Sequence, residues 1–267
     1  MFRKSVCAFA FAIAAIVQPT GHSFANDENL VTIKTRPGVD QLFLLIEPDV
    51  PPIASVILFP GGSGKIKLWK NDPTKYGNNF LVRTRKAFAG HGFLTAVIDV
   101  PSDRRRGPGL RDFRGSMAHR ADIGAVVAFL RRRANVPVWL VGTSRGTISA
   151  AHLAADLSID GVVLTATVTE ESRKSRATVL DAPLERIRPP VLIVHHLSDA
   201  CRVTPYYNVA SLKRRFISSG IVEMLAFEGG DPPTSKPCQG LSEHGFFGIE
   251  DRVIGKIARW IKRARPE

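Results

Sequence analysis

Three residues in this chain have the side chains for covalent acyl chemistry and stand in an order that suits it. Gly142-Thr143-Ser144-Arg145-Gly146 follows the short apolar run Val138 to Val141 and precedes an Ala-rich stretch suited to a helix. Between a strand and a helix, G-x-S-x-G makes a sharp turn. It lifts the serine hydroxyl off the sheet, and small residues at 142 and 146 let strand and helix approach closely. Outside that context Ser144 would read as an ordinary helix N-cap. A serine hydroxyl is a weak nucleophile at neutral pH, so it needs a base, and the base needs a third group to fix its tautomer. Asp199 stands just past the run Val191 to Val194, and His244 stands in Ser242-Glu243-His244-Gly245-Phe246, ahead of the last helical pattern. Glu170 and Glu171, after the run ending at Thr165, are the competing acids.

The remaining histidines point to structure rather than chemistry. His195 and His196 close a strand pattern, one to each side, as hydrogen-bonded structural groups do. His91, His119 and His152 have no acidic or cysteine partners at ligand spacing, so no metal site is assembled and no cofactor is implied. The glycines Gly61, Gly62 and Gly64 ahead of Lys65 are not a phosphate loop. G-x-x-x-x-G-K-[ST] would need a glycine at 59 and a hydroxyl at 66, where the chain has Phe59 and Ile66.

These residues lie among short apolar runs: Leu42 to Ile46, Ile53 to Phe59, Leu94 to Val100, Val138 to Val141, Gly161 to Thr165, Val191 to Val194 and Val222 to Phe227. Rich in Val, Ile and Leu and bounded by Gly, Pro or Asp, several have the pattern of strands buried on both faces. Helical periodicity lies between the later ones. Ile123, Val126, Val127 and Leu130 share one face, with Arg131 to Arg133 at the helix end where cations complement the dipole. Thr204-Pro205 is expected to cap and start a helix carrying Val209, Leu212 and Phe216, and Ile249, Val253, Ile254, Ile257 and Ile261 mark a last amphipathic helix. Strands alternating with helices predict an α/β fold: a mostly parallel central sheet flanked by helices on both faces.

From about Ile53 to the C-terminus the chain resembles the α/β hydrolases, on the GTSRG turn, the acid in HHLSDACRVTP and the histidine in EHGFFGIE. The resemblance implies a nucleophile at Ser144, an acid at Asp199 and a base at His244. It also implies an oxyanion hole of two backbone N–H groups. One belongs to Arg145, the residue after the nucleophile. The other lies in Phe59-Pro60-Gly61-Gly62-Ser63-Gly64, where Pro60 replaces the histidine of the lipase-type HGGG and Gly62 is favoured over Gly61.

Composition bounds the rest. With 267 residues, 44% apolar and 23% charged, the chain can bury a sizeable core, which excludes a disordered, fibrous or disulfide-scaffolded miniprotein. Arg3 and Lys4, the apolar run Val6 to Val17, Pro19, Gly21 and then Ser23-Phe24-Ala25 have the form of a secretory signal over residues 1–25. Its removal takes two cations and no acid, lowering the formal charge from +13 to +11, and deletes Cys7. No other stretch approaches the ~20 apolar residues of a membrane span. Cys201 and Cys238 would then be alone in an oxidising compartment and are expected to pair. Dispersed arginines in an exported chain argue against nucleic acid. The loop Pro101 to Ser116 carries Arg104, Arg105, Arg106, Arg111 and Arg114. It reads either as a solvated loop or as a contact for an acidic substrate or an anionic surface, the latter through Arg104, Arg105 and Arg106.

The expectation is therefore an exported, periplasmic or secreted protein with one domain over 26–267, in which 167–190 is a short connection in place of a large cap. It would be a serine hydrolase acting on a small-molecule carboxylic ester or related acyl compound. An amidase, peptidase or thioesterase on the same residues, or an idle hydrolase fold used for binding, are the alternatives.

Overall fold

The structure is a computed structural model that describes residues 28–70, 77–173 and 175–264; the expected export segment and Cys7 lie outside them. Eight strands form one sheet: β1 (Glu28–Arg36), β2 (Val39–Ile46), β3 (Ala54–Phe59), β4 (Phe93–Ile98), β5 (Val138–Thr143), β6 (Gly161–Thr165), β7 (Val191–His196) and β8 (Val222–Phe227). Their spatial order is β1-β2-β4-β3-β5-β6-β7-β8. β1 pairs antiparallel with β2 and β2 with β4, and every other pairing is parallel. The helices are α1 (Phe80–Arg83), α2 (Arg85–Gly90), α3 (Met117–Arg133), α4 (Gly146–Asp156), α5 (Val209–Lys213) and α6 (Glu250–Arg263).

Alternation along the central strands divides the core in two. Val56, Leu58, Trp139 and Val141 face a cluster with Phe80, Phe88, Val253, Ile257 and Trp260 of α1, α2 and α6. Ile57, Phe59, Val138 and Leu140 face the opposite cluster, with Ile123 and Leu130 of α3, Leu153 of α4 and Leu212 of α5. A parallel strand buried on both faces is apolar at most positions, which is why β3 to β7 appear as mainly apolar runs, with Ser55, Thr95, Thr143, Thr165 and the two histidines of β7 as the buried polar exceptions. Trp139 and Trp260 meet edge to face at 5.4 Å across the first layer. Among the described residues no helix is long and apolar enough to cross a membrane.

The structure departs from the sequence reading in three places. The polar segment Glu28–Arg36 is a strand, held at the sheet edge by β2 and by the Arg36 guanidinium, which grips the buried Asp122 of α3 at 2.8 and 2.9 Å. Thr204 caps no helix: a 3-10 turn over Tyr206–Asn208 leads into the short α5, and the Thr204 hydroxyl is directed elsewhere. The strand expected to reach Val100 ends at Ile98 because Asp99 turns back to accept N–H bonds from Ile66, Leu68 and Val100. The connection 167–190 holds two 3-10 turns, Val179–Asp181 and Leu184–Arg186.

Candidate active site

β5 ends at Thr143 in the middle of the sheet, and α4 begins at Gly146, leaving two residues to reverse the chain. Ser144 makes the turn at φ +52°, a left-handed conformation that costs a non-glycine residue on the order of 1 kcal/mol. Two glycines make it possible. A Cβ on Gly142 would lie 2.5 Å from the Gly146 carbonyl oxygen, and one on Gly146 would lie 2.0 Å from that of Phe59, so only hydrogen fits at either place. The Ser144 N–H donates to the Thr165 carbonyl at 2.9 Å, anchoring the turn to β6. The side chain lies half-buried in a cavity of about 380 Å³ that Gly62, Arg145, Arg173, Arg202, Val203 and Cys238 also line.

Asp199 follows β7 and His244 sits in a 3-10 turn, Glu243–Gly245, between β8 and α6. They meet: His244 Nδ1 lies 2.9 Å from Asp199 Oδ2, with the imidazole 5% and the carboxylate side chain 0% exposed. The carboxylate is held from its other sides as well. Oδ1 accepts the Cys201 N–H at 2.9 Å and Oδ2 accepts the Thr204 hydroxyl at 2.8 Å. Since that hydroxyl has a single proton, its 3.3 Å approach to His244 Nδ1 is proximity, and Nδ1 carries the hydrogen directed at Asp199. Nε2 of His244 is buried and has no hydrogen-bond partner among the described residues. Arg83 steadies the turn by donating to the Gly245 carbonyl at 2.6 Å while paired with Glu250.

Cys201 and Cys238 are bonded, with an S–S distance of 2.06 Å, so the bond ties the Asp199 loop to the loop that leads into His244. Asp199, Cys201 and His244 offer metal-ligating types within 4.8 Å of one another. The Cys201 sulfur, however, is a disulfide sulfur rather than a thiolate, and the His244–Asp199 contact already occupies the donors. The competing acids face away: Glu170 accepts from Asn208 at 2.7 Å, and the exposed Glu171 lies 4.0 Å from Arg176.

The glycine loop after β3 returns toward Ser144. Neither the Gly62 N–H nor the Arg145 N–H meets an acceptor among the described residues. Arg114 fixes the loop from beneath, donating to the carbonyls of Pro60 at 3.1 Å and Gly62 at 3.3 Å and to Ser149 Oγ at 2.8 Å. It is fully buried with no carboxylate partner among the described residues, and burial lowers its pKa to about 9. Composition suggested a solvated loop or an anion contact around it; no sequence pattern marks Arg114 apart from its neighbours. Arg104 and Arg105 lie over the rings of Phe113 and Trp69, at 4.2 and 5.5 Å.

Two buried histidines frame the region as neutral groups. His195 Nε2 accepts the Thr167 N–H at 2.8 Å, and burial holds its pKa down to about 4. His119 Nε2 accepts from Ser149 Oγ at 3.0 Å, the Ser149 lone pair being engaged by Arg114, and burial lowers its pKa to about 3. His196 accepts from the Ser198 N–H and donates to the Gly229 carbonyl. A larger cavity, about 580 Å³ between the end of α4 and residues 185–189, contains the Arg186–Asp156 pair and no serine–histidine combination.

No family model matches the chain, and no curated protein sequence matches it. Solved structures do. A dienelactone hydrolase from Anabaena variabilis superposes with a TM-score of 0.63 at 15% identity, covering 90% of this chain and 99% of that one. An esterase from Pyrococcus furiosus gives 0.59 at 15%, covering 90% and 93%. A Xanthomonas campestris protein described as an α/β serine hydrolase without lid gives 0.60 at 16%, covering 91% and 98%. The chain has the α/β-hydrolase fold.

Proposed function

We propose that the protein is a serine hydrolase that cleaves a carboxylic ester, or a related acyl compound, through an acyl-enzyme. His244 Nε2 takes the Ser144 proton as Oγ attacks the carbonyl carbon, while Asp199 holds Nδ1–H and stabilises the imidazolium that forms. The negative charge that develops on the carbonyl oxygen is received by the N–H groups of Gly62 and Arg145. Collapse of the tetrahedral species expels the alcohol with the proton from Nε2. Water, deprotonated by the same nitrogen, then attacks the acyl carbon, and release of the acid returns the proton to Oγ.

The observation that carries this reading is the buried, unpartnered Nε2 of an imidazole whose other nitrogen is bound to a fully buried carboxylate. Burying such a nitrogen without a partner costs free energy, and a group that exchanges protons with a substrate-bound serine supplies the partner during turnover. Two N–H groups without acceptors beside Ser144 support the same reading. The fold is shared with an esterase, a dienelactone hydrolase and a serine hydrolase without lid, which fits a single domain over 26–267 with 167–190 as a short connection. Residues 1–25 are proposed to direct export to the periplasm or medium.

The test is labelling with a fluorophosphonate, whose adduct should map to Ser144. Ser144→Ala should lose both labelling and hydrolysis of p-nitrophenyl esters with its circular dichroism unchanged. Turnover retained by that variant removes the mechanism, and a wild type that is neither labelled nor active favours a binding role for the fold.

A further inference from the structure

The Ser144 cavity is lined by three arginines, Arg145, Arg173 and Arg202, and, among the described residues, by no acidic one. Some arginines of this basic chain are matched by acids, as Arg36 is by Asp122, Arg83 by Glu250, Arg133 by Glu47 and Arg263 by Glu223. Among the described residues, none of the three has a carboxylate at ion-pair distance.

Arg145 is the most constrained. Its Nη2 donates to Ser172 Oγ at 2.7 Å, which fixes the guanidinium on one side, while Nη1 is buried with no acceptor among the described residues. A charged donor withdrawn from water without an acceptor is unfavourable unless something arrives to accept from it. Arg173 and Arg202 are exposed at the same opening and have no ion pair among the described residues, so they add positive potential where a substrate enters. Val203 and Cys238 supply a less polar wall between them.

We infer that the ester hydrolysed at Ser144 carries a negatively charged oxyanion group of its own, such as a carboxylate, bound at the cavity mouth by the side chains of Arg145, Arg173 and Arg202. This rests on the hydrolase reading above and narrows its substrate class. The planar guanidinium matches a carboxylate with two parallel N–H···O bonds, and such charge-assisted contacts discriminate against an uncharged analogue that leaves the donors unmet.

The experiment compares matched esters on the full chain. Mono-4-nitrophenyl adipate and 4-nitrophenyl hexanoate have the same chain length and differ by a carboxylate on the acyl side; 4-acetoxybenzoate and its methyl ester differ by a carboxylate on the leaving group. At low salt, kcat/KM should favour the charged member of at least one pair by about tenfold or more, the weight of one charge-assisted hydrogen bond. The ratio should fall toward unity as ionic strength rises to about 0.5 M, because screening then acts over a few ångströms. It should fall in the double variant Arg173→Ala/Arg202→Ala, which leaves Arg145 as the single guanidinium of the three, and hold in Arg132→Ala, which removes an exposed cation from the far end of α3. Labelling of Ser144 with turnover of the neutral esters but no preference in either pair overturns the inference and leaves the hydrolase reading standing. A preference that neither salt nor the double variant diminishes also overturns it. No labelling and no turnover of any ester removes both.

Discussion

Breaking the Cys201–Cys238 bond should act on the site and on the stability of the fold by separable routes. The bond spans 37 residues. In the chain-entropy model, closing a loop of that length removes about 13 cal/mol/K from the unfolded ensemble, or roughly 4 kcal/mol at 25 °C. For a chain of this size each kcal/mol moves Tm by about 2–4 °C, so reduction should lower Tm by roughly 8–16 °C. The local consequence follows from the neighbours of each sulfur. Cys201 donates its N–H to Asp199 Oδ1, and Cys238 belongs to the segment whose Pro237 carbonyl accepts from Ser242, two residues before His244. Reduction therefore loosens the two loops that bring acid and imidazole together while the sheet stays intact. Free thiols in the denatured, non-reduced chain should number none beyond Cys7, and esterase activity should fall on reduction at temperatures where circular dichroism is unchanged. Double replacement by Cys201→Ser/Cys238→Ser should reproduce both effects. Two additional thiols in the untreated protein would refute the pairing, and full activity after proven reduction would refute the role in holding the loops.

Asp199→Asn should lower kcat by about 10⁴, since an amide favours the wrong imidazole tautomer, whereas Glu171→Gln on the exposed connection should change it little; the opposite ranking moves the acid. Gly146→Ala forces a Cβ to within 2.0 Å of the Phe59 carbonyl, so urea unfolding should show a loss of about 1–3 kcal/mol with a fall in activity, and a variant of native stability would contradict the packing. Stability should also decline in acid. His195 and His119, lowered to about 4 and about 3, leave the native state refusing two protons that the unfolded chain takes up as pH falls below about 6.5. Asp99, raised by burial to about 6, opposes one of them because the native state holds its proton while the unfolded chain still releases it. The net of one proton gives a loss of about 1.4 kcal/mol per pH unit between about pH 6 and 4, and denaturant midpoints that stay level across that range would contradict it.

The legible part of the fold was the part in which burial acts on every residue of a segment. β3, β5, β6 and β7 are covered on both faces, so their sequences are apolar at most positions and their bounds lie within two residues of the runs that announce them. β1 obeys no such constraint. At the sheet edge, with Leu30 46% exposed, it alternates only weakly, and its place is secured by Arg36 gripping Asp122, 86 positions away. Thr204 was misleading for a different reason. Thr-Pro is a sound helix start by local rules, but a buried carboxylate five residues earlier offers the hydroxyl a stronger acceptor than a helix amide offers it a donor.

The site divides the same way. The tight turn at Ser144 could be read from sequence because its constraint is local: the turn demands small residues two positions to either side, and demand of that kind leaves a pattern. Arg114 has no pattern, because what distinguishes it from Arg104, Arg105 and Arg106 is only which backbone carbonyls face its guanidinium, those of Pro60 and Gly62. A buried cation with no carboxylate beside it tolerates little movement of the carbonyls that solvate it, so the Gly62 segment is fixed by the charge below rather than by contact with substrate above. Two guanidinium groups thus differ in place: Arg114, whose two Nη nitrogens donate to backbone and Ser149 beneath the loop, and Arg145, which lines the cavity and whose buried Nη1 has no acceptor among the described residues. The first has the features of a support and the second those of a receptor, which is why the charge of the substrate, rather than its length, is the property on which the discrimination of this site should turn.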